Sequence, residues 1–125
     1  AELEDMHIHK TGALIRASVL LGALSQPAVE PAVLERLDRY AKCIGLAFQI
    51  RDDILDVIGD VAMLGKSTGA DWALAKPTYP TLLGLEGARE HARLLREEAL
   101  ASLRPLGSEA EPLRWIASYI VERMY

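Results

Sequence analysis

"GLAFQIRDDILDVIGD", residues 45–60, decides how the rest of the chain is read. Gly45, Leu46, Ala47, Phe48, Ile50, Ile54, Leu55, Val57 and Ile58 give it the apolar content of a buried helix. Asp52, Asp53, Asp56 and Asp60 are nevertheless set into it. Successive helical residues turn by roughly 100°, so with Gln49 at zero Asp52 falls at about 300°, Asp53 at about 40° and Asp56 at about 340°. These carboxylates and Gln49 share one arc, while Ile50, Ile54 and Val57 point elsewhere. Two carboxylates roughly 6 Å apart repel by about 3 kcal/mol at an effective dielectric near 20. Protonation or a bound cation relieves that cost. An all-oxygen cluster suits magnesium or calcium and not zinc. Magnesium in particular binds through few carboxylates together with a substrate phosphate. A solvated acidic helix face is the plainer alternative, and the apolar flanks count against it.

A phosphate needs cations, and three lysines stand in unusual settings. Lys10 lies in "HKTGALI", inside an apolar helical stretch; Lys66 lies in "LGKSTG", just after the acidic helix; Lys76 lies in "AKPTYP". An ammonium is a compact phosphate-binding charge. Thr11 beside Lys10, and Gln49 one turn before Asp52, offer neutral oxygens to a positive centre. Solvation is the plain reading of Lys76, and close helix packing the plain reading of Gly12. "GKST" does not make a P-loop: the required glycine five before Gly65 is Asp60, and the segment follows a helix where a strand is needed. His7 and His9 of "HIH" would sit roughly 200° apart on a helix, which excludes a zinc pair there. His91 falls on the charged side of its helix and reads as solvated.

Outward from this segment nearly everything is helical, and the fold class is all-α. Residues 3–22 carry Ile8, Gly12, Ile15, Val19 and Gly22 on one face. Pro27 and Pro31 interrupt the chain, and Pro31 suits the first position of a helix running to Ile58 and stopping at Gly59-Asp60. Residues 60–80 hold Gly65, Gly69, Pro77 and Pro80 and read as a long loop, a kind of segment that is commonly functional. From Thr81 to Leu103 the pattern is amphipathic. Leu82, Leu85, Ala88, Ala92, Leu95, Ala99 and Leu103 face inward; Glu86, Arg89, Glu90, Arg93, Arg96 and Glu97 face out. Ser108 with Glu111 forms a capping-box pattern ahead of a last helix with Leu113, Ile116, Ile120, Val121 and Met124.

The 125 residues are enough for one domain with a real core, half of them hydrophobic. A net charge of −4 argues against an electrostatic grip on nucleic acid or an anionic membrane. The one cysteine, Cys43, reads as a reduced core thiol. "ASVLLGAL" is too short to span a bilayer, and no secretion signal is visible, so a cytoplasmic setting is expected. The chain begins at Ala1, helix-like from the start, as a piece of something longer would.

Taken together, "HKTGALIRASVLLGAL", "IGLAFQIRDDILDVIGD", "LGKSTGAD" and "TYPTLLGLEGAREHARLL" resemble the C-terminal part of the trans-isoprenyl diphosphate synthases, the polyprenyl synthetase family. The likeness is closest to the bacterial enzymes that make farnesyl diphosphate (geranyltranstransferases), and it covers essentially the whole chain. The resemblance implies a helical bundle around a cavity. It also implies a prenyltransferase joining an allylic diphosphate, dimethylallyl or geranyl, to isopentenyl diphosphate. Asp52, Asp53 and Asp56 would then be the second aspartate-rich motif, holding Mg2+ that bridges to the allylic diphosphate. Lys10 and Lys66, with Lys76, would contact that diphosphate. Thr11 and Gln49 would lie near the allylic carbocation, and Phe48 would line the pocket. Arg51 stands where close relatives often carry glutamine and is expected to point away from the Asp52 face. The family's first aspartate-rich motif and its isopentenyl diphosphate site would lie upstream of Ala1. The remaining part of the polypeptide is therefore a partner, a homodimer is expected, and the piece alone should be inactive. A non-catalytic helical interaction domain, a geranylgeranyl diphosphate synthase or a terpene cyclase are the alternatives.

Overall fold

The computed structural model describes residues 12–64 and 79–123, with side chains described over 12–59 and 83–123. Every regular element among the described residues is helical: α1 (Ala13–Leu24), α2 (Pro31–Leu64), α3 (Tyr79–Leu103), a 3-10 turn (Ser108–Ala110) and α4 (Glu111–Glu122). The chain is all-α, as its periodicity predicts. No described helix is long and apolar enough to cross a membrane.

The spine is α2. Pro31 opens it, its fixed φ and missing N–H suited to a first helical position. The expected stop at Gly59-Asp60 does not occur, and the helix runs on to Leu64. One interior glycine costs only about 1 kcal/mol relative to alanine, too little to end a helix that Val61, Ala62, Met63 and Leu64 continue.

α3 packs along α2 most extensively, with α1 and α4 adding smaller interfaces. The core joins Tyr40, Cys43, Ile44, Ala47, Ile50 and Ile54 of α2 to Ala88, Ala92, Leu95, Ala99 and Leu103 of α3 and to Ala117 and Ile120 of α4. The α3 residues are those its sequence pattern places inside, with Leu85 only partly buried against them and the side chain of Leu82 outside the described residues. Three of the five are alanines, so the two helices approach closely. The outer face of α3 is tied by short-range ion pairs, Arg89–Glu86 at 3.0 Å and Arg93–Glu90 at 2.7 Å. Its start is less regular than predicted. Gly84 takes φ 77°, ψ 162°, a conformation essentially reserved to glycine, and kinks the helix there.

The expected capping box at Ser108 does not form. Ser108–Ala110 wind into the 3-10 turn, and Ala110 fills the N-cap of α4 with no side-chain cap. Arg114 reorganises this corner. It donates to the carbonyls of Leu103 at 2.9 Å and Gly107 at 3.1 Å, and also to that of Leu106. It pairs with Glu111 at 2.7 Å as well. The last carbonyls of α3 lack intrahelical partners, so a guanidinium fork there satisfies several acceptors at once. In α4, Ile120 and Val121 are buried as expected, but Ile116 is exposed and Ala117 takes the inward position. Met124 lies outside the described residues.

The Tyr40 hydroxyl donates to the Leu113 carbonyl at 2.8 Å and so ties α2 to α4. Burial pushes that phenol up to about 12. Cys43 is a free, buried thiol, also pushed up to about 12, first by burial and then by the charge of Glu98. Both groups bind protons more tightly folded than unfolded. Stability is therefore intact below the unfolded thiol value of 9.0 and falls as pH rises toward 12. Urea midpoints should decline progressively from pH 9 upward, and Tyr40→Phe should flatten the decline above pH 10, where the unfolded phenol titrates. A midpoint unchanged between pH 8.5 and 11.5 would contradict this.

Candidate functional site

The site begins with how α1 meets α2. A Cβ built on Gly45 would stand 3.2 Å from the Cα of Gly12 and 3.8 Å from Cδ1 of Ile15. Backbone touches backbone there. Farther along α1, Arg16 grips Asp38 through both nitrogens, the Nη2 contact measuring 3.1 Å, and Lys42 adds a contact at 3.4 Å. Against the upward push of burial, these two cations hold the Asp38 carboxyl below the usual carboxylate range. Contacts that pass from Gly45 back to Asp38 while α1 advances from Gly12 to Arg16 make the pair antiparallel. The leading end of α1 therefore lies against α2 one turn before Gln49. Gly12 has the packing role its plain reading gave it. Gly22 does not share that face, since nothing stands within 4 Å of its Cβ position, and no residue of α1 is buried.

Beyond Gly45 the faces of α2 separate. Ile50 and Ile54 are 0% exposed and form the core side, and Asp53, only 7% exposed, is turned in beside them. Gln49 and Asp52 are half-buried, and Asp56 is exposed. Asp52 and Asp56, one helical turn apart, are thus presented on the outer side near Gln49, while Asp53 leaves that side for the core margin. Burial is the foremost cause of a raised Asp52 pKa; the charge of Arg51 opposes it and that of Asp56 adds to it.

No three His, Cys, Asp or Glu side chains among the described residues are placed to hold a metal ion together. Calcium, which collects six to eight oxygens, finds no cage in that donor set. Magnesium fits better, because one or two carboxylates plus phosphate oxygens and water are its usual environment. Burial of Asp52, with Asp56 one turn away, penalises its charged form, and a divalent ion would offset that penalty.

Phe48 is half-buried and packed on the core edge, and the Arg51 guanidinium sits over its ring, Cζ 5.7 Å from the centroid. Sequence reasoning passed over Arg51 as pointing away from Asp52, yet its charge reaches that carboxyl. The signal was available in its spacing, three residues after an aromatic ring and adjacent to the first aspartate. His91 is half-buried and has an interaction partner, which corrects its reading as merely solvated. Lys10, Thr11, Lys66 and Lys76 lie outside the described residues, as do His7 and His9. A cavity of about 670 Å³ between the start of α2 and the end of α3 is lined by residues such as Arg39, Lys42 and Glu98. None of the sequence-selected site residues that lie among the described residues borders it.

Comparison with known proteins bears on the whole chain. A family model described as polyprenyl synthetase matches residues 1–105. Farnesyl diphosphate synthase of Escherichia coli K12 is 55% identical over 97% of this chain, which spans 42% of that relative. Dimethylallyltranstransferase of Fischerella ambigua is 49% identical over 100% of this chain and 36% of its own length. A crystal structure assigned to a farnesyl-diphosphate synthase of Marinomonas sp. MED121 superimposes with a TM-score of 0.78 at 48% identity, over 96% of this chain and 39% of the other. The chain thus spans about two fifths of the length of the relatives it matches. With a helical architecture shared at this level and a family match over most of its residues, the chain belongs to the polyprenyl synthetase family.

Proposed function

We propose that this chain is the part of a prenyltransferase that carries the second aspartate-rich motif and holds the diphosphate of an allylic substrate through Mg2+. The reaction proposed for the whole enzyme is condensation of dimethylallyl or geranyl diphosphate with isopentenyl diphosphate in the cytoplasm, as a homodimer. One observation carries the reading: Asp52 and Asp56 stand one turn apart on the side of α2 opposite the fully buried Ile50 and Ile54, with the Asp52 pKa raised.

Bound Mg2+ would supply electrostatic stabilisation of negative charge growing on the departing diphosphate. Asp52 and Asp56 are the proposed ligands, with Asp53 assisting from the core margin. Lys10, Lys66 and Lys76 are proposed to bind diphosphate oxygens as point charges. Gln49 and Thr11 are proposed to turn neutral oxygens toward the allylic cation. Phe48 would wall the apolar cavity that keeps water from that cation.

Calorimetry tests the reading. The chain should bind inorganic pyrophosphate in the presence of Mg2+ and lose that affinity in excess EDTA. Binding that is absent, or indifferent to the metal, would overturn it. Turnover of geranyl diphosphate by the 125-residue chain alone should be undetectable, and measurable product would refute that part of the proposal.

A further inference from the structure

Arg51 combines features that a solvated surface arginine lacks. Its Nε is buried and finds no acceptor among the described residues, whereas the large majority of buried polar atoms are paired. Its guanidinium is held over the Phe48 ring, with Cζ at 5.7 Å, a geometry that fixes the charge without neutralising it. It directly precedes Asp52 on α2. Arg96 also has a buried, unpartnered Nε, but its Nη2 meets the Glu97 carboxylate at 3.2 Å, so a counter-charge is at hand there. The guanidinium thus sets a positive charge next to the first aspartate of the acidic face.

We propose that Arg51 is a fixed counter-charge on the acidic face, set over Phe48 beside Asp52, which weakens binding of the divalent cation alone and strengthens binding of the diphosphate that follows it. The inference rests on the proposed Mg2+ and diphosphate site. Its physical basis is a sign rule: one positive charge repels a dication and attracts a polyanion at the same place. Removing the charge should move the two affinities in opposite directions. A purely structural arginine, one that only packs on Phe48, would move both in the same direction or neither.

The test compares wild type, Arg51→Gln and Arg51→Lys by titration calorimetry, with circular dichroism to verify equal helix content. Two titrations are run on each: MgCl2 alone, and inorganic pyrophosphate at saturating Mg2+. Arg51→Gln should bind Mg2+ about three- to tenfold more tightly and pyrophosphate about three- to tenfold more weakly, both shifts shrinking at high salt. Arg51→Lys keeps the charge but not the planar stack on Phe48, so each of its affinities should fall between those of wild type and Arg51→Gln. Shifts of the same sign in Arg51→Gln, or no shift, overturn the role of Arg51 and leave the site standing. Wild type that binds no pyrophosphate at all overturns the site itself, and the counter-charge with it.

Discussion

Replacing Asp52 with alanine is expected to weaken Mg2+-dependent pyrophosphate binding by about a hundredfold or more. Losing even an outer-shell partner of a metal ligand commonly costs 10- to 100-fold, and Asp52 is proposed to touch the ion itself. The substitution should leave the fold intact. Asp52 is half-buried on the side away from the core, and its charge is opposed by Asp56 one turn later. Alanine removes that repulsion and is the stronger helix former. The far-ultraviolet dichroism of Asp52→Ala should match wild type, and its urea midpoint should equal or exceed it. Equal pyrophosphate affinity in the two proteins would count against the site, and a loss of helix would mean that Asp52 has a structural duty instead.

Ile54→Ala should give a large loss of stability, about 3 kcal/mol. Ile54 is 0% exposed in the α2–α3 core, and truncating a buried isoleucine removes both its transfer energy and the packing around it. For a chain of this size the melting temperature should drop by about 10 °C. Leu55, the next residue, is 41% exposed. Leu55→Ala should cost about 1 kcal/mol or less, because a large share of its surface is already in water and its truncation leaves no enclosed cavity. Thermal melts of the two variants therefore read out which way the helix is turned. Similar losses in both would mean that the carboxylates are not oriented as described, since Asp52 and Asp56 are placed by the same helical rotation.

The helices were legible because their core sides are written in one period. Ala88, Ala92, Leu95, Ala99 and Leu103 recur at three- and four-residue steps, and all are buried. The ends were less legible, because they are settled by tertiary partners. Gly59 looked like a stop and was overrun. Ser108 looked like a cap, yet Arg114, a residue with no local capping signature, closes that corner from within α4. At the candidate site the arc holding Gln49, Asp52 and Asp56 followed from helical geometry alone. The displacement of Asp53 toward the core did not, because an arc spanning about 100° reads as one face until a neighbour such as α3 covers its edge. Arg51 was missed for a related reason: angular position on a helix says nothing of how far a long side chain's charge reaches.

The bare contact between Gly12 and Gly45 has an evolutionary corollary. Where two main chains abut with no side chain between them, spacing is set by the peptide groups, and no rotamer change can absorb an added methyl group. Tolerance at Gly45 is correspondingly narrow, because even an alanine Cβ would stand 3.2 Å from the Gly12 Cα and α1 would have to yield by a few tenths of an ångström. A conservative-looking change there, well away from any charged group, would shift α1 against the helix that carries the carboxylates.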